Sequence, residues 1–518
     1  MKNKIIYIFS LIGILSLGSC GDFGDINLDP NNPSQADTRF LFARAMQGAT
    51  FGVYSSAPAP SVSLYDPFSQ LYPQYFAEAQ NIQYTEFKIV DFALSTYYNT
   101  FLRNLKLIIA MNEDENQNTT EFVGAMGSNN NQIAVAKTLE AFYYMHMTDI
   151  VGSIYYSEAL LGDEGNFTPK FDTQQDIYTA MDAELNEAYT LFEESGHLNS
   201  SYDILYNGDV SKWKKLNASL RMLLAIKLSD VAPDAGKTRF AKAYQDGGMQ
   251  TNDDNLRYQY LNETANMNPL HDNMSISRRQ DFAPSKTIVD VLLSYKDPRV
   301  MSYGIPNPYD KFEAVPFGVP RANISEYKGK IVMFNPKLYR MNAPITIISA
   351  SRILLVAAEA AVRGWISADA AALYKEGIAM SFEEKDFATD VAGYKNNDPD
   401  LWEDWEAEYG FVLTLDDYLA QPVIALTGSN TEKIEKIAMQ RWLNGFLEDG
   451  IEAWSDWRRL NVPKLVPGQA ADPITHVPYR RQYYLIDYET NMDNYKQAIA
   501  AQGSDNFDTR VWWDVADN

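Results

Sequence analysis

Apolar residues return every three or four positions along much of this chain, the spacing of helices with one buried face. Residues 38–51 read as the first helix. Over residues 90–111, Phe92, Leu94, Tyr97, Tyr98, Phe101, Leu102, Leu105, Ile108 and Ile109 share one broad stripe. A further helix is expected at 133–148, beyond an Asn-rich loop at 128–132. Between 172 and 194 the inner positions are Ile177, Met181, Leu185, Ala188 and Leu191, with Asp172 or Thr173 as the N-cap. Residues 209–230 repeat the design: Asp209 caps, while Trp213, Leu216, Leu220, Leu223, Leu224 and Leu228 face inward.

The clearest pair spans 347–382. Ala357, Ala358, Ala360 and Ala361 give its first helix a small-residue face, Gly364 ends it, and Ser367 can cap the second, which carries Ala371, Leu373, Tyr374, Ile378 and Met380. Two such helices joined by a tight turn resemble a tetratricopeptide unit of ~34 residues. The other helices read as looser units that bury one another's faces. Residues 431–460 supply one more pair, in which Ile434, Ile437, Trp442, Leu443 and Phe446 form the first stripe and Gly450 stops it. The expected fold is mainly α with little β. Its tetratricopeptide-like scaffold of helical pairs lies mainly at 88–232, 345–383 and 431–460. Three stretches rich in Pro and aromatic residues, 54–87, 257–342 and 398–421, are expected as irregular insertions, which on a rigid scaffold are more often functional than filler.

The first twenty residues have a different pattern. Lys2 and Lys4 precede an apolar run at 5–17 that closes on Leu17-Gly18-Ser19-Cys20. The run is shorter than the roughly 20 residues of a membrane span and has the parts of an export signal. Leu-Gly-Ser-Cys looks like a bacterial lipobox, which predicts a signal peptide over 1–19 and acyl chains on Cys20. Each buried CH2 of those chains adds about 0.8 kcal/mol to the attachment. An ordinary signal with a chance cysteine is the alternative. Residues 20–37, crowded with Asp, Asn and Pro, read as a lipidated tether, and 38–518 as one helical domain. Cys20 is the only cysteine, so the mature chain has no thiol for a disulfide or a thiolate nucleophile. The expected protein sits on a membrane and needs a separate pore to move anything across it.

Charge and chemistry narrow the choice further. A net charge of −24 repels nucleic acid. Gly236-Lys237-Thr238 ends like a phosphate loop, but Val231 stands where its first glycine belongs. The four histidines show no zinc spacing, no G-x-S-x-G elbow occurs, and the Asp25, Asn27, Asp29 run lacks the glycine and glutamate of a calcium loop. No catalytic residue, metal or cofactor is expected. Carboxylates are too numerous for any one glycosidase pair to carry information.

Binding has positive support. Aromatic residues make up 13% of the chain, and some fall in turn-rich stretches. A sugar stacks its C–H face on such a ring, and Asn, Gln, Asp or Arg side chains bond its hydroxyls. Tyr72, Tyr75 and Phe76 interleave with Gln74, Gln80, Asn81 and Gln83; Tyr303, Tyr309, Phe317 and Tyr327 interleave with Asn307, Asp310, Arg321 and Asn323. The ligand candidates are therefore Tyr72, Tyr75, Phe76, Asn81, Tyr303, Tyr309, Phe317, Arg321 and Tyr327. For any one ring, core packing is the default. Trp213 and Trp442 are assigned to the core, and Arg458 and Arg459 to acidic neighbours rather than ligand.

Several stretches taken in order resemble the SusD/RagB family of outer-membrane lipoproteins. They are Asp149-Ile150-Val151-Gly152-Ser153-Ile154-Tyr155-Tyr156-Ser157-Glu158-Ala159, Thr168-Pro169-Lys170-Phe171-Asp172, Gly208-Asp209 with Trp213-Lys214-Lys215-Leu216, and Asn217-Ala218-Ser219-Leu220-Arg221. Ala358-Glu359-Ala360-Ala361-Val362-Arg363-Gly364-Trp365, Trp454-Ser455-Asp456-Trp457-Arg458-Arg459, Arg480-Arg481 before Tyr483-Tyr484, and Val511-Trp512-Trp513-Asp514 follow. The resemblance implies a helical fold of tetratricopeptide-like pairs with the irregular insertions forming a ligand-binding face, in a surface-exposed lipoprotein of the cell outer membrane that lids a SusC-like TonB-dependent transporter. Asp22 and Asp25 behind Cys20 resemble the acidic export signal of such lipoproteins. The implied cargo is an oligosaccharide, with a peptide as the RagB-like alternative; a helical surface glycosidase is the remaining rival.

Overall fold

A computed structural model describes residues 36–52, 68–80, 82–88, 91–448 and 450–515. The expectations for the signal, Cys20, the tether and Asn81 lie outside the described residues. Helix α1 (Thr38–Gln47) starts at Asp37, whose carboxylate accepts from the Arg39 amide at 2.9 Å. α2 (Arg103–Glu113) packs on α3 (Asn129–Val151), and α3 pairs in turn with α4 (Gln174–Leu191). Thr173 caps α4 through its hydroxyl, whereas Asp172 turns away and accepts from the amides of Tyr156 and Ser157. α5 (Val210–Lys227) is capped by Asp209 as expected, and it pairs with α6 (Pro233–Asp246), which periodicity did not single out. Gly236-Lys237-Thr238 lies inside α6 and forms no loop.

The segment 257–342 is only partly irregular, since it holds α7 (Lys286–Ser294) and the short α8 (Arg299–Tyr303). α9 (Ala350–Val362) and α10 (Ala370–Lys385) form the predicted pair. Their caps are Ser349 and Asp369, not Ser367, and Gly364 takes a left-handed φ of +73° just beyond α9. The next stretch corrects the sequence expectation. α11 (Phe387–Asn397), α12 (Pro399–Glu408) and α13 (Leu415–Ala420) make much of 398–421 helical. Pro399 occupies the first turn of α12, where its missing N–H costs nothing, and Asp398 caps that turn. α14 (Asn430–Asn444) and α15 (Gly450–Leu460) complete the later pair, so Gly450 opens a helix rather than ending one. α16 (Met492–Gln502) closes the series.

Every residue of α9 from Ala350 to Ala360 is buried, as a helix walled on all sides requires. It packs on α10, α14 and α5. Strands are short and paired in twos: β1 (Phe76–Glu78), β2 (Asp91–Phe92), β3 (Leu256–Tyr258), β4 (Phe282–Pro284), β5 (Gly304–Ile305), β6 (Met333–Phe334), β7 (Ile345–Ile348) and β8 (Gln482–Tyr483). β1–β4, β3–β7 and β5–β6 run antiparallel and β2–β8 parallel. The β1–β4 register sets Phe76 against Pro284 and Glu78 against Phe282, tying segment 68–88 to segment 257–342. One core extends from Phe42 to Trp513. A second, smaller one of Ala77, Ile82, Val315, Val319, Ile324 and Ile331 lies under the irregular segments.

Candidate ligand-binding face

Residues from several of the sequence motifs meet at a buried joint. Asp149 of α3, fully buried, accepts from Trp513 Nε1 at 2.8 Å, from the Tyr178 hydroxyl of α4 and from Lys227 Nζ at 2.7 Å. Lys227 also reaches Glu452 on α15. Arg458 lies 3.7 Å over the Trp454 ring and donates to the Asp149 carbonyl at 2.6 Å. It donates to the Tyr479 carbonyl at 3.0 Å as well, and the charges of Asp149 and Asp514 act on it. Arg459 takes an acid, Glu359 of α9, through both its terminal nitrogens. Arg441 and Arg363 converge on the same Glu359, and although burial opposes its charge, these guanidinium groups hold the carboxyl well below its ordinary value. These residues clamp the scaffold.

Most candidate rings prove to be structural. Tyr75 is fully buried and its hydroxyl donates to the Trp442 carbonyl at 2.7 Å; Tyr303 is buried and donates to the Leu443 carbonyl at 2.7 Å. Both carbonyls belong to the last turn of α14, where a helix leaves acceptors without intrahelical donors. Burial pushes both phenols up, so each stays a neutral donor. Tyr72 sits edge-on to Trp454 at 5.0 Å, Phe76 packs on Phe334 at 4.7 Å, and Phe317 is buried beside Phe87. None of these five rings offers a free face as placed, because each fills core that the helix ends and neighbouring rings require.

Tyr309 is the exception. It is 67% exposed on a tight turn built by the buried Asn307. The Asn307 side chain accepts from the amides of Tyr309 at 2.9 Å and Lys311 at 3.1 Å, and donates to the Lys330 carbonyl at 2.8 Å. Asp310 takes the left-handed φ of +60° that Asp tolerates. Its carbonyl accepts from Trp405 Nε1 of α12 at 2.8 Å, and Lys311 pairs with Glu408 of the same helix. Phe312 packs among Trp405, Tyr409 and Phe411. The turn therefore rests on a floor that segment 398–421 supplies. Asn307 also joins it to the strand approach that holds the half-buried Tyr327. Exposed Arg321 donates to the Ile82 carbonyl and ties segment 68–88 to segment 257–342. The structure thus ties together three segments that are distant in sequence, with the Tyr309 ring exposed on a turn whose backbone is braced.

A cavity of about 360 Å³ also opens among β7, the end of α10 and the turn after α14, within the size range of small-ligand pockets. Tyr303 and Phe446, stacked with centroids 4.4 Å apart, form part of its wall. Arg257, Lys337, Arg340 and Lys385 line it as well. Sequence reading passed over these four because nothing in their spacing marks them as neighbours. No group of three or more His, Cys, Asp or Glu arranged to hold a metal occurs among the described residues.

Comparison with known proteins places the chain. The family described as "SusD-like_2: Starch-binding associating with outer membrane" matches residues 30–484. A solved structure entitled "chitin-binding protein" is 26% identical, with a TM-score of 0.74 over 93% of this chain and 100% of its own. A SusD homologue from Bacteroides fragilis is 24% identical, with a TM-score of 0.73 over 91% and 99%. A chitin-binding SusD homologue from Flavobacterium johnsoniae is 22% identical, with a TM-score of 0.70 over 92% and 98%. No curated protein sequence matches the chain.

Proposed function

This chain belongs to the SusD-like family of proteins described as starch-binding and associating with the outer membrane, and we propose that it captures an oligosaccharide at the cell surface without transforming it. The observation that carries this reading is the family match across residues 30–484. The chitin-binding solved structures support a glycan over a peptide. In this reading Tyr309 stacks against a sugar ring, and the polar groups of the surrounding turns bond its hydroxyls. The braced turn supports that role, since a backbone already ordered loses little freedom on binding.

The rest of the reading follows from the chain's own layout. Acyl chains on Cys20 hold the protein to the outer membrane, and no described helix is long and apolar enough to cross a bilayer. Cargo therefore passes to a separate SusC-like TonB-dependent transporter. Calorimetry against chito-oligosaccharides, malto-oligosaccharides and oligopeptides tests the capture step. Glycan binding is expected, with no release of reducing ends. Tyr309→Ala should weaken it about two- to tenfold, the value of one aromatic contact, at unchanged thermal stability. Binding of peptides alone, or release of reducing ends, would overturn the reading.

A further inference from the structure

The cavity wall is unevenly supplied with hydrogen-bonding groups. Four cationic side chains and two carboxylates line it, in a protein whose net charge is −24. Both carboxylates are engaged. Glu384 accepts from the Thr346 hydroxyl at 2.6 Å and pairs with Arg257, and Asp386 accepts from the Thr389 hydroxyl at 2.9 Å. Two of the cations are engaged too: Lys337 bonds Asp390 at 2.6 Å and Lys385 bonds Glu448 at 2.9 Å. Arg340 differs. It is exposed at the cavity, and among the described residues its guanidinium has neither an ion pair nor a hydrogen bond.

The site thus holds an unspent planar fork of donors, and its carboxylates are already occupied. A ligand that completes it must bring acceptors, and a carboxylate matches the fork with two parallel bonds. The half-buried Leu338 and the exposed Pro344 supply the apolar part of the wall for the body of the same ligand. We propose that this cavity binds the carboxylate of an acidic sugar residue, with Arg340 as the recognising group. This rests on the reading of the protein as a glycan binder, and it adds a site distinct from the ring of Tyr309.

The test uses the full-length protein in detergent and ligand-observed NMR, with glucuronate, glucose and N-acetyl-alanine as probes. Glucuronate is expected to bind and glucose at equal concentration to give no comparable signal. Arg340→Gln should weaken glucuronate at least fivefold, Arg340→Lys should restore part of that loss, and Tyr309→Ala should leave it unchanged. Arg340 makes no contact that folding depends on, so thermal stability should be the same in all three variants. Equal binding of glucose in the Tyr309→Ala protein, where the stacking ring is gone, or indifference of glucuronate to Arg340→Gln, would overturn the proposal. So would N-acetyl-alanine binding in place of glucuronate, which would assign the cavity to a peptide end. Loss of neutral oligosaccharide binding in Tyr309→Ala alone bears on the stacking face and leaves this cavity untouched.

Discussion

Lys227 shows how much a single side chain can carry in this protein. Buried between Asp149 and Glu452, it keeps its proton: burial opposes the charge, and the two carboxylates more than offset that. Lys227→Met would strand two buried anions, so a loss of about 3–5 kcal/mol is expected in urea unfolding. Glu140 on α3 presents the opposite case. Burial first, and then the charge of Glu184, raise its carboxyl to about 8, against the opposing pull of Lys137 and Lys106. The native state then keeps a proton that the unfolded chain sheds from its ordinary value of 4.5 upward. This group's contribution therefore declines as pH rises from about 4.5 to 8 and levels off above. Glu140→Gln should flatten that decline and raise Tm at pH 8 relative to the parent, measured by thermal melts from pH 5 to 9. An unchanged pH profile would refute the assignment. Glu359, held low by its arginines, acts in the other sense, and its stabilisation is lost only as the solution becomes strongly acidic.

At the scale of elements, caps and glycines show where sequence reasoning succeeds and where it stops. Asp209 and Gly364 were legible because capping depends on a residue's own backbone and nearest amides. Gly450 was misread for lack of such a local cause. A Cβ there would lie 1.6 Å from the Ser69 carbonyl oxygen, so the glycine is needed for the close approach of a segment nearly 400 residues earlier. Gly450→Ala should cost about 1–3 kcal/mol, the range for overfilling a packed contact, and chemical denaturation would reveal it. The aromatic stretch 398–421 failed similarly. Pro399 and the clustered tryptophans looked irregular, yet Trp402 and Trp405 lie one turn apart on α12 and are buried. Core and ligand face draw on the same residue types, so composition alone does not separate them.

For the whole molecule, α5, α10 and α14 pack on α9, and segments 68–88, 257–342 and 398–421 are tied together through Arg321 and the Asp310 turn on α12. In the proposed reading, attachment at Cys20 and capture at Tyr309 use different parts of the chain and can be separated. Cys20→Ser should move the protein from the outer-membrane fraction to a soluble one, read by fractionation and immunoblot, while glycan affinity in solution stays unchanged. Persistence in the membrane fraction would remove the lipid anchor from the account.

The sequence by itself determined the helical scaffold, the order of its motifs and the absence of thiol chemistry beyond Cys20, because periodicity, capping and composition are properties of neighbouring residues. Tertiary structure alone decided which tyrosines face solvent. Tyr75 and Tyr303 are spent on the open end of α14, and Tyr309 is left outward by a turn braced on α12. It also decided that Arg340 and Tyr303 share a cavity. Such outcomes depend on contacts between residues far apart in the chain, and a pattern read along one dimension does not contain them.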